Sequence, residues 1–474
     1  MITSLERNKK TPADQRTGNH PCYSSEAQHY FARVHLPVAP ACNIQCNYCN
    51  RKFDCVNESR PGVSSTLLTP EAGLKRVMAM AMRLPQLSVV GIAGPGDPLA
   101  NPQRTFGTLR RIKETIPMLK LCLSTNGLRL KEFLPEILEL GIDHVTVTIN
   151  ALDPEIGKEV YSWVYYGHKR LKGKDGAMAL IENQLEGLRL LAEADVLVKV
   201  NTVVIPGVND THIPKLAREV KSLGAFLVNL MPVASSPGYG SVFSKMGIET
   251  PSPKDIETLQ GKIEGDVNLM RHCRLCRADA AGLLCKDTSQ ETSGCLEEEA
   301  ASQTFDIGVI ERMHAHLEQR MEVDRMKREQ ILKSYEAYQV GKALFGAKIA
   351  VASKGMGLVN EHFGHAKEFL VYEVQEDGSL RPLGVRKVAL YCAKGSDCEE
   401  EESARSKMEG TLKALEGVQT LFVMAIGPAP ELALQEAGIE TVRQIGPIEE
   451  AFMAWAKEKI RIPELDEQAS RAVS

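Results

Sequence analysis

The stretch Cys42-Asn-Ile-Gln-Cys46-Asn-Tyr-Cys49 constrains this chain more than any other. Its three cysteines, spaced C-x3-C-x2-C, follow Val34-His-Leu-Pro-Val-Ala-Pro40, which reads as a strand running into a loop. Three thiolates can hold three irons of a cubane [4Fe–4S] cluster and leave the fourth iron without a protein ligand. An open iron is an address for a small chelating molecule, much as a catalytic zinc keeps one position free. The bland alternative is a structural zinc knuckle. Zinc sites usually pair two C-x2-C units or add histidines, and the strand–loop context suits a cluster better.

The rest of the composition fits metal chemistry in a reducing compartment. At 474 residues the chain predicts two or three domains, on a prior of ~100–200 residues each. A net charge of −4 gives no whole-chain case for a nucleic-acid partner. No apolar signal segment opens the chain, and no run approaches the ~18 apolar residues of a membrane span. The expectation is a cytoplasmic protein without a membrane partner. Twelve cysteines there point to metal or redox chemistry rather than disulfides. They cluster as Cys22, Cys42, Cys46, Cys49 and Cys55, then Cys122, then Cys273, Cys276, Cys285 and Cys295, then Cys392 and Cys398. More than one cluster is the natural inference.

The fold class expected is α/β: a partial (βα)6 barrel followed by a small α/β domain. Strands rich in Val, Ile and Leu, as strands buried on both faces should be, are predicted at Arg33–Val38, Ser88–Ala93, Leu119–Ser124, His144–Ile149, Val196–Val204 and Ala225–Leu230. Helices are predicted between them at Pro70–Leu84, Asn101–Ile116, Lys131–Leu140, Ala177–Ala194 and His212–Leu223. Residues 1–20 read as a mobile polar N-terminus, 21–300 as the barrel with cysteine-bearing segments, and 301–346 as a charged helical linker. His314 and His316 in that linker are two apart and read as solvated surface. Residues 347–460 read as the second domain and 461–474 as a tail.

In parallel barrels the C-terminal strand ends carry the chemistry. Gly94-Pro-Gly96-Asp97-Pro98 closes the second strand, and its glycines let backbone approach a ligand. Ser124-Thr-Asn126-Gly127 ends the third strand, Asn150 the fourth, and Met231 the sixth, while Asn201 lies in the fifth. Each is also readable as a strand-end turn or cap. Cys122 and Ser124, two apart on a strand, face the same side, although a free cysteine is often just a small core hydrophobe. Cys22 and His35 add possible ligands near the barrel mouth. Cys273 and Cys276 form a C-x2-C pair that also reads as half a zinc ribbon, with Cys285 and Cys295 able to complete it.

Together these motifs resemble a known family. The cysteine triad is the motif of radical S-adenosylmethionine (SAM) enzymes, and Gly-Pro-Gly-Asp-Pro is similar to their SAM-binding Gly-Gly-Glu-Pro loop, with Asp for Glu. His20-Pro-Cys-Tyr-Ser24, Asp54-Cys-Val-Asn-Glu-Ser-Arg-Pro-Gly62 and His272-Cys-Arg-Leu-Cys-Arg-Ala-Asp-Ala280 add a resemblance to the NifB family, radical SAM proteins that build the nitrogenase iron–molybdenum cofactor precursor. The part after residue 346 resembles NifX-type cofactor-binding domains, with a ribonuclease-H-like fold. The resemblance implies a SAM-bound [4Fe–4S] cluster on Cys42, Cys46 and Cys49, with Tyr48 near the adenine. It implies that Gly94, Gly96, Asp97, Ser124, Asn126, Asn150, Asn201 and Met231 serve SAM. It implies two auxiliary [4Fe–4S] clusters consumed as substrates, the first on His35, Cys55 and Cys122 and the second on Cys273 and Cys276. Cys22 would serve either during transfer and, with Glu58 and Arg60, make up the catalytic set, no separate role being assigned to those two. The implied reaction fuses the two clusters around a SAM-derived carbide with one added sulfide. Implied partners are iron–sulfur cluster donors, a reductant protein and downstream nitrogenase cofactor carriers. In the second domain Glu361, His362 and His365, and the loop of Cys392 and Cys398, are candidates for transient cluster holding, a polar loop being the stronger reading for any one of them. A radical SAM enzyme acting on a peptide or small molecule, and a non-catalytic iron–sulfur scaffold, are the competing functions.

Overall fold

Six short apolar runs become six parallel strands because each is buried on both faces and can satisfy its backbone only through neighbours. The computed structural model describes residues 16–57, 62–235, 237–273, 276–284, 286–288, 306–332, 335–390 and 401–460. The chain divides into two units, Met1–Glu318 and Gln319–Ser474. In chain order the strands of the first are β1 Ala32–His35, β2 Ile44–Cys46, β3 Leu87–Ile92, β4 Lys120–Thr125, β5 His144–Thr148, β6 Tyr161–Tyr166, β7 Lys169–Leu171, β8 Leu197–Val204, β9 Leu227–Pro232, β10 Ala281–Leu283 and β11 Lys286–Asp287. The main sheet runs β11-β10-β1-β3-β4-β5-β8-β9, its six members from β1 to β9 being parallel.

The predicted helices lie between these strands. Pro70–Arg83 starts where Thr69 Oγ1 accepts from Ala72 N at 3.2 Å. The helices Leu130–Glu139 and Ile213–Ser222 stop just before Gly141 and Gly224, whose φ of +65° and +99° lie in the left-handed region that ends helices. Leu36, Ile92, Leu109, Leu123, Val145, Val198 and Leu216 are fully buried between sheet and helices. Each such side chain contributes roughly 1.5–3 kcal/mol of transfer free energy.

Three features differ from the sequence reading. First, residues 16–20 are not a mobile tail but pack across the N-terminal ends of the barrel strands. Ser88 Oγ donates to Asn19 O at 2.6 Å, and Tyr23 Oη reaches the carbonyls of Val145 and Leu197, each at 3.2 Å. Second, β2, β6 and β7 form a small antiparallel sheet that was missed. Tyr161-Ser-Trp-Val-Tyr-Tyr166 is rich in strand formers, and Gly167 and His168 (φ 56° and 61°) make the two-residue hairpin turn. Third, residues 268–273 and 276–284 are more than loop. Met270 N donates to Val228 O on β9 at 2.8 Å, while Arg33 and Val34 of β1 pair with Gly282 and Ala281. The described residues of this cysteine-bearing segment therefore lie at both open edges of the partial barrel, Met270 at β9 and Gly282 at β1.

The expected linker is also divided. Ile310 joins the barrel core. His314 is buried, with Nε2 2.8 Å from Leu87 O and its ring edge-on to Phe31, so it is not solvated surface. In the second unit the helix Tyr335–Leu344 buries Ala337 and Val340 in that unit's own core.

The strands of the second unit are β12 Lys348–Val351, β13 Leu358–Val359, β14 Glu368–Val374, β15 Leu380–Lys387, β16 Thr420–Val423, β17 Glu440–Arg443 and β18 Gly446–Pro447. Its main sheet runs β15-β14-β12-β16-β17, with β14 antiparallel to both neighbours and β12, β16 and β17 parallel. That is the ribonuclease-H-like order. Side-chain alternation splits the core: Ala350 and Ala352 face a cluster with Met408 and Leu434, whereas Ile349 and Val351 face one with Val340 and Phe452.

Candidate functional site

Two adjoining chambers occupy the inside of the barrel, and strand alternation sets what each contains. Along β4, Cys122 lines the inner chamber, Ser124 lines both, and Asn126, just past the strand, lines the outer one. On β5, Thr146 faces the inner chamber and Thr148 the outer. The two chambers adjoin, with Asn57, Ala93 and Ser124 common to both walls. The sequence reading gathers every soft ligand at one barrel mouth. The structure instead distributes them along the barrel axis, because residues 16–31 plug the N-terminal end and Met270 and Gly282 sit at the β9 and β1 edges.

Cys42, Cys46, Cys49 and Cys55 line the outer chamber, with Tyr48, Gly96, Asp97 and Asn126. The cysteine loop is held by β2 pairing with β6 and by Cys49 N donating to Cys46 O at 3.1 Å. Gly96 is needed there, since a Cβ would lie 2.0 Å from Ala41 O. Asp97 does not present a bare carboxylate. It accepts from Leu99 N at 2.9 Å, Thr125 Oγ1 at 2.9 Å and Asn126 N at 2.6 Å, locking the SAM-loop candidate to the end of β4. Burial still holds its carboxyl above the usual range against these donors. Asn126 Nδ2 donates to Asn43 Oδ1 at 2.6 Å and reaches Cys42 Sγ at 3.8 Å. Tyr48 Oη donates to Asn57 Oδ1 at 2.9 Å and accepts from Asn150 Nδ2 at 2.8 Å. Asn150 thus stands behind Tyr48 and lines neither chamber. Nor does Gly94 line either; a Cβ there would come within 3.4 Å of the Ala278 side chain.

Cys22, His35, Cys122, Cys273 and Cys276 line the inner chamber with Asn201 and Met231. Cys55, grouped in the sequence reading with His35 and Cys122, stands in the other wall. His35 donates from Nδ1 to Arg277 O at 3.1 Å, which fixes the tautomer carrying its lone pair on Nε2, the atom a metal would take. Arg33 Nη2 donates to Cys276 Sγ at 3.1 Å, and its Nη1 reaches Gly282 O at 2.6 Å. His272 Nε2 lies 3.1 Å from Pro21 O, tying the Cys273 segment to the Cys22 turn.

Glu58, Arg60, Cys285, Cys295, Cys392 and Cys398 lie outside the described residues. Sequence reasoning missed Lys199, Asn229, Met270 and Asn57 in the chamber walls. Lys199 is buried. Its signal was available: Lys199 and Asn201 alternate within the apolar run Val196–Val204, so two polar groups face one side of a strand that should be dry.

The donor chemistry suits clusters in both chambers. Burial pushes the thiols of Cys42 and Cys22 up to about 12 and raises those of Cys46, Cys49 and Cys55. A metal reverses this, because coordination deprotonates thiols outright. Among the described residues no three His, Cys, Asp or Glu side chains are grouped for a single metal ion. The three motif sulfurs belong instead to the wall of the outer chamber, beside Cys55. In the second unit His362 and His365 have ring centroids 5.2 Å apart. His362 Nδ1 accepts from Gly364 N at 3.0 Å, and Glu361 Oε1 accepts from His362 N at 2.8 Å, so these groups shape the loop.

Comparison with known proteins finds similarity over most of the chain. The Radical SAM superfamily profile matches residues 36–220, and the profile described as Dinitrogenase iron-molybdenum cofactor matches residues 346–458. The chain is 46% identical over 459 residues to the FeMo cofactor biosynthesis protein NifB of Azotobacter vinelandii, covering 94% of this chain and 89% of that one. It is 48% identical over 430 residues to that of Herbaspirillum seropedicae, covering 90% and 80% of the two chains. With that of Rhodobacter capsulatus it shares 44% over 445 residues, or 93% and 96%.

Proposed function

This chain belongs to the NifB family of FeMo cofactor biosynthesis proteins and is a radical SAM enzyme, and from that premise we propose that it fuses two [4Fe–4S] substrate clusters into an eight-iron cofactor precursor around a SAM-derived carbide, with one added sulfide. The observation that carries the reading is the pair of chambers with a shared wall at Asn57, Ala93 and Ser124. One chamber has the sulfurs for a resident cluster, and the other has a second set of soft ligands within reach of whatever is generated beside the first.

In this reading Cys42, Cys46 and Cys49 hold the resident [4Fe–4S] cluster, which when reduced supplies the electron that cleaves SAM to the 5′-deoxyadenosyl radical. Gly96 gives SAM a close approach to backbone, Tyr48 offers a face for the adenine, and Asn126 orients Cys42. His35 and Cys122 hold one substrate cluster, with Cys55 joining them across the shared wall. Cys273 and Cys276 hold the other, and Cys22 passes between them. Arg33 holds Cys276 in place through its hydrogen bond to Sγ. One SAM gives its methyl to a substrate sulfide, leaving S-adenosylhomocysteine. The radical from a second SAM takes a hydrogen from that methyl, leaving 5′-deoxyadenosine. Burial inside the barrel shields the radical from solvent. The reading requires cluster donors, a reductant protein and downstream cofactor carriers as partners, and a cytoplasmic setting. Among the described residues no helix is long and apolar enough to cross a membrane.

The test is anaerobic. Protein reconstituted with iron and sulfide is given reductant and SAM carrying ¹⁴C in its methyl group. Label in an acid-labile iron–sulfur product, with deoxyadenosine and S-adenosylhomocysteine both formed, is the expected result. Deoxyadenosine without labelled cluster would move the substrate elsewhere, and neither product from fully loaded protein would leave a scaffold.

A further inference from the structure

The hairpin β6–β7 is stitched to the cysteine loop and yet faces outward. Ile44 pairs with Val164, Gln45 with Trp163 and Cys46 with Tyr161, and Tyr165 N donates to Asn43 O at 2.7 Å. Val164 is buried against Ile44, which turns Tyr165 outward, 48% exposed, and Tyr166 is 44% exposed. Arg170 lies over the Trp163 ring at 4.7 Å. A wide, open groove runs beside the hairpin, lined by Cys42, Asn43, Arg129, Trp163, Tyr165 and His168 among others. Cys42 therefore belongs to two surfaces at once: the wall of the outer chamber and the wall of this open groove.

Charge at this rim is mainly basic, although Glu132 lines the groove paired with Arg129, and Glu159 and Asp175 flank the hairpin. Residues 161–174 contain Lys169, Arg170, Lys172 and Lys174 and no acidic residue, in a chain whose net charge is −4. Lys174 is neutralised by Glu155 at 2.9 Å, but Lys169, Arg170 and Lys172 remain, and Arg51 and Lys52 are exposed next to the cysteine triad. A basic aromatic rim suits an acidic protein surface, with rings to bury and cations to steer the encounter.

We propose that the groove between this hairpin and Cys42 is the docking surface for an acidic, low-potential one-electron donor protein of the ferredoxin class. The assignment rests on the reading that Cys42 ligates the SAM cluster. In the docked complex the donor loses one electron and the cluster gains it through a single cysteine, with no proton or atom transferred. The electron then leaves on cleavage of the SAM sulfonium bond.

The test compares the full-length protein with the double variant Lys169→Glu/Arg170→Glu, neither residue being part of a chamber wall. Binding of a reduced acidic ferredoxin, followed by calorimetry at low salt, should weaken on the order of tenfold in the variant and lose most of its salt dependence. Ferredoxin-driven reduction of the cluster should slow by a similar factor. Dithionite needs no docking, so deoxyadenosine formation driven by dithionite should be the same in both proteins, and in wild type it reports separately on the SAM-cluster reading. Equal ferredoxin affinity and equal reduction rates in the two proteins would overturn the assignment. So would a variant equally slow with dithionite, since the substitutions would then act on the site itself.

Discussion

The two chambers differ in how the chain builds them. The outer chamber takes its four cysteines from one stretch, Cys42 to Cys55, braced by a local hairpin. The inner chamber takes Cys22, His35, Cys122, Cys273 and Cys276 from four separate parts of the barrel. A site built locally can be read as a spacing, and it loses function when one ligand is lost. A site built from distant pieces exists only once the barrel and its plug have closed, so it is sensitive to substitutions that touch no ligand.

The sharpest way to separate them is to remove ligands. Cys46→Ser should take SAM cleavage to background while the inner chamber still accepts its clusters, seen as retained [4Fe–4S] signals in electron paramagnetic resonance. Loss of every cluster signal would show that the chambers load as one. Cys273→Ser with Cys276→Ser should do the reverse: deoxyadenosine still forms with dithionite, but no eight-iron product appears. A double variant that no longer cleaves SAM would erase the distinction. Changes next to the ligands should have intermediate effects. Arg33→Met removes the donor to Cys276 Sγ, and Asn126→Ala the donor to Cys42 Sγ. Each should weaken iron retention in its own chamber by about 10–100-fold, measured by chelator competition. A loss shared equally by both chambers would break the comparison. The smallest effect expected is that of Tyr23→Phe, which deletes the hydroxyl contacts to the Val145 and Leu197 carbonyls under the inner chamber. It should cost about 1 kcal/mol in chemical denaturation of the metal-free protein and leave SAM cleavage unchanged. No change in stability would mean that the plug is not held by these bonds.

This contrast also explains what was legible in the sequence. The six barrel strands and their helices follow from apolar runs and caps, since local burial and local hydrogen bonding decide them. Cys42, Cys46 and Cys49 follow from spacing. The place of Cys122 follows from strand alternation with Ser124, but the split of alternate β4 residues between two chambers does not. That split depends on Asn19 and Tyr23 at the barrel's N-terminal end and on Met270 and Gly282 at the β9 and β1 edges, and their contacts are all long-range. Lys199 was passed over because a lysine in an apolar strand was not weighed as a wall residue. His314 was misread because spacing between two histidines says nothing of what the helix packs on. Asp97 reads in the sequence as a SAM contact, and the partners the fold gives its carboxylate, Leu99 N, Thr125 Oγ1 and Asn126 N, are not legible there.

The central claim is that a radical made in the outer chamber acts on a methyl group held in the inner one. SAM bearing a CD3 methyl group tests it directly, with mass spectrometry of the deoxyadenosine formed. The account predicts deuterium in deoxyadenosine from wild-type protein loaded with substrate clusters, and none from the Cys273→Ser/Cys276→Ser variant. Undeuterated deoxyadenosine from loaded wild-type protein would contradict it.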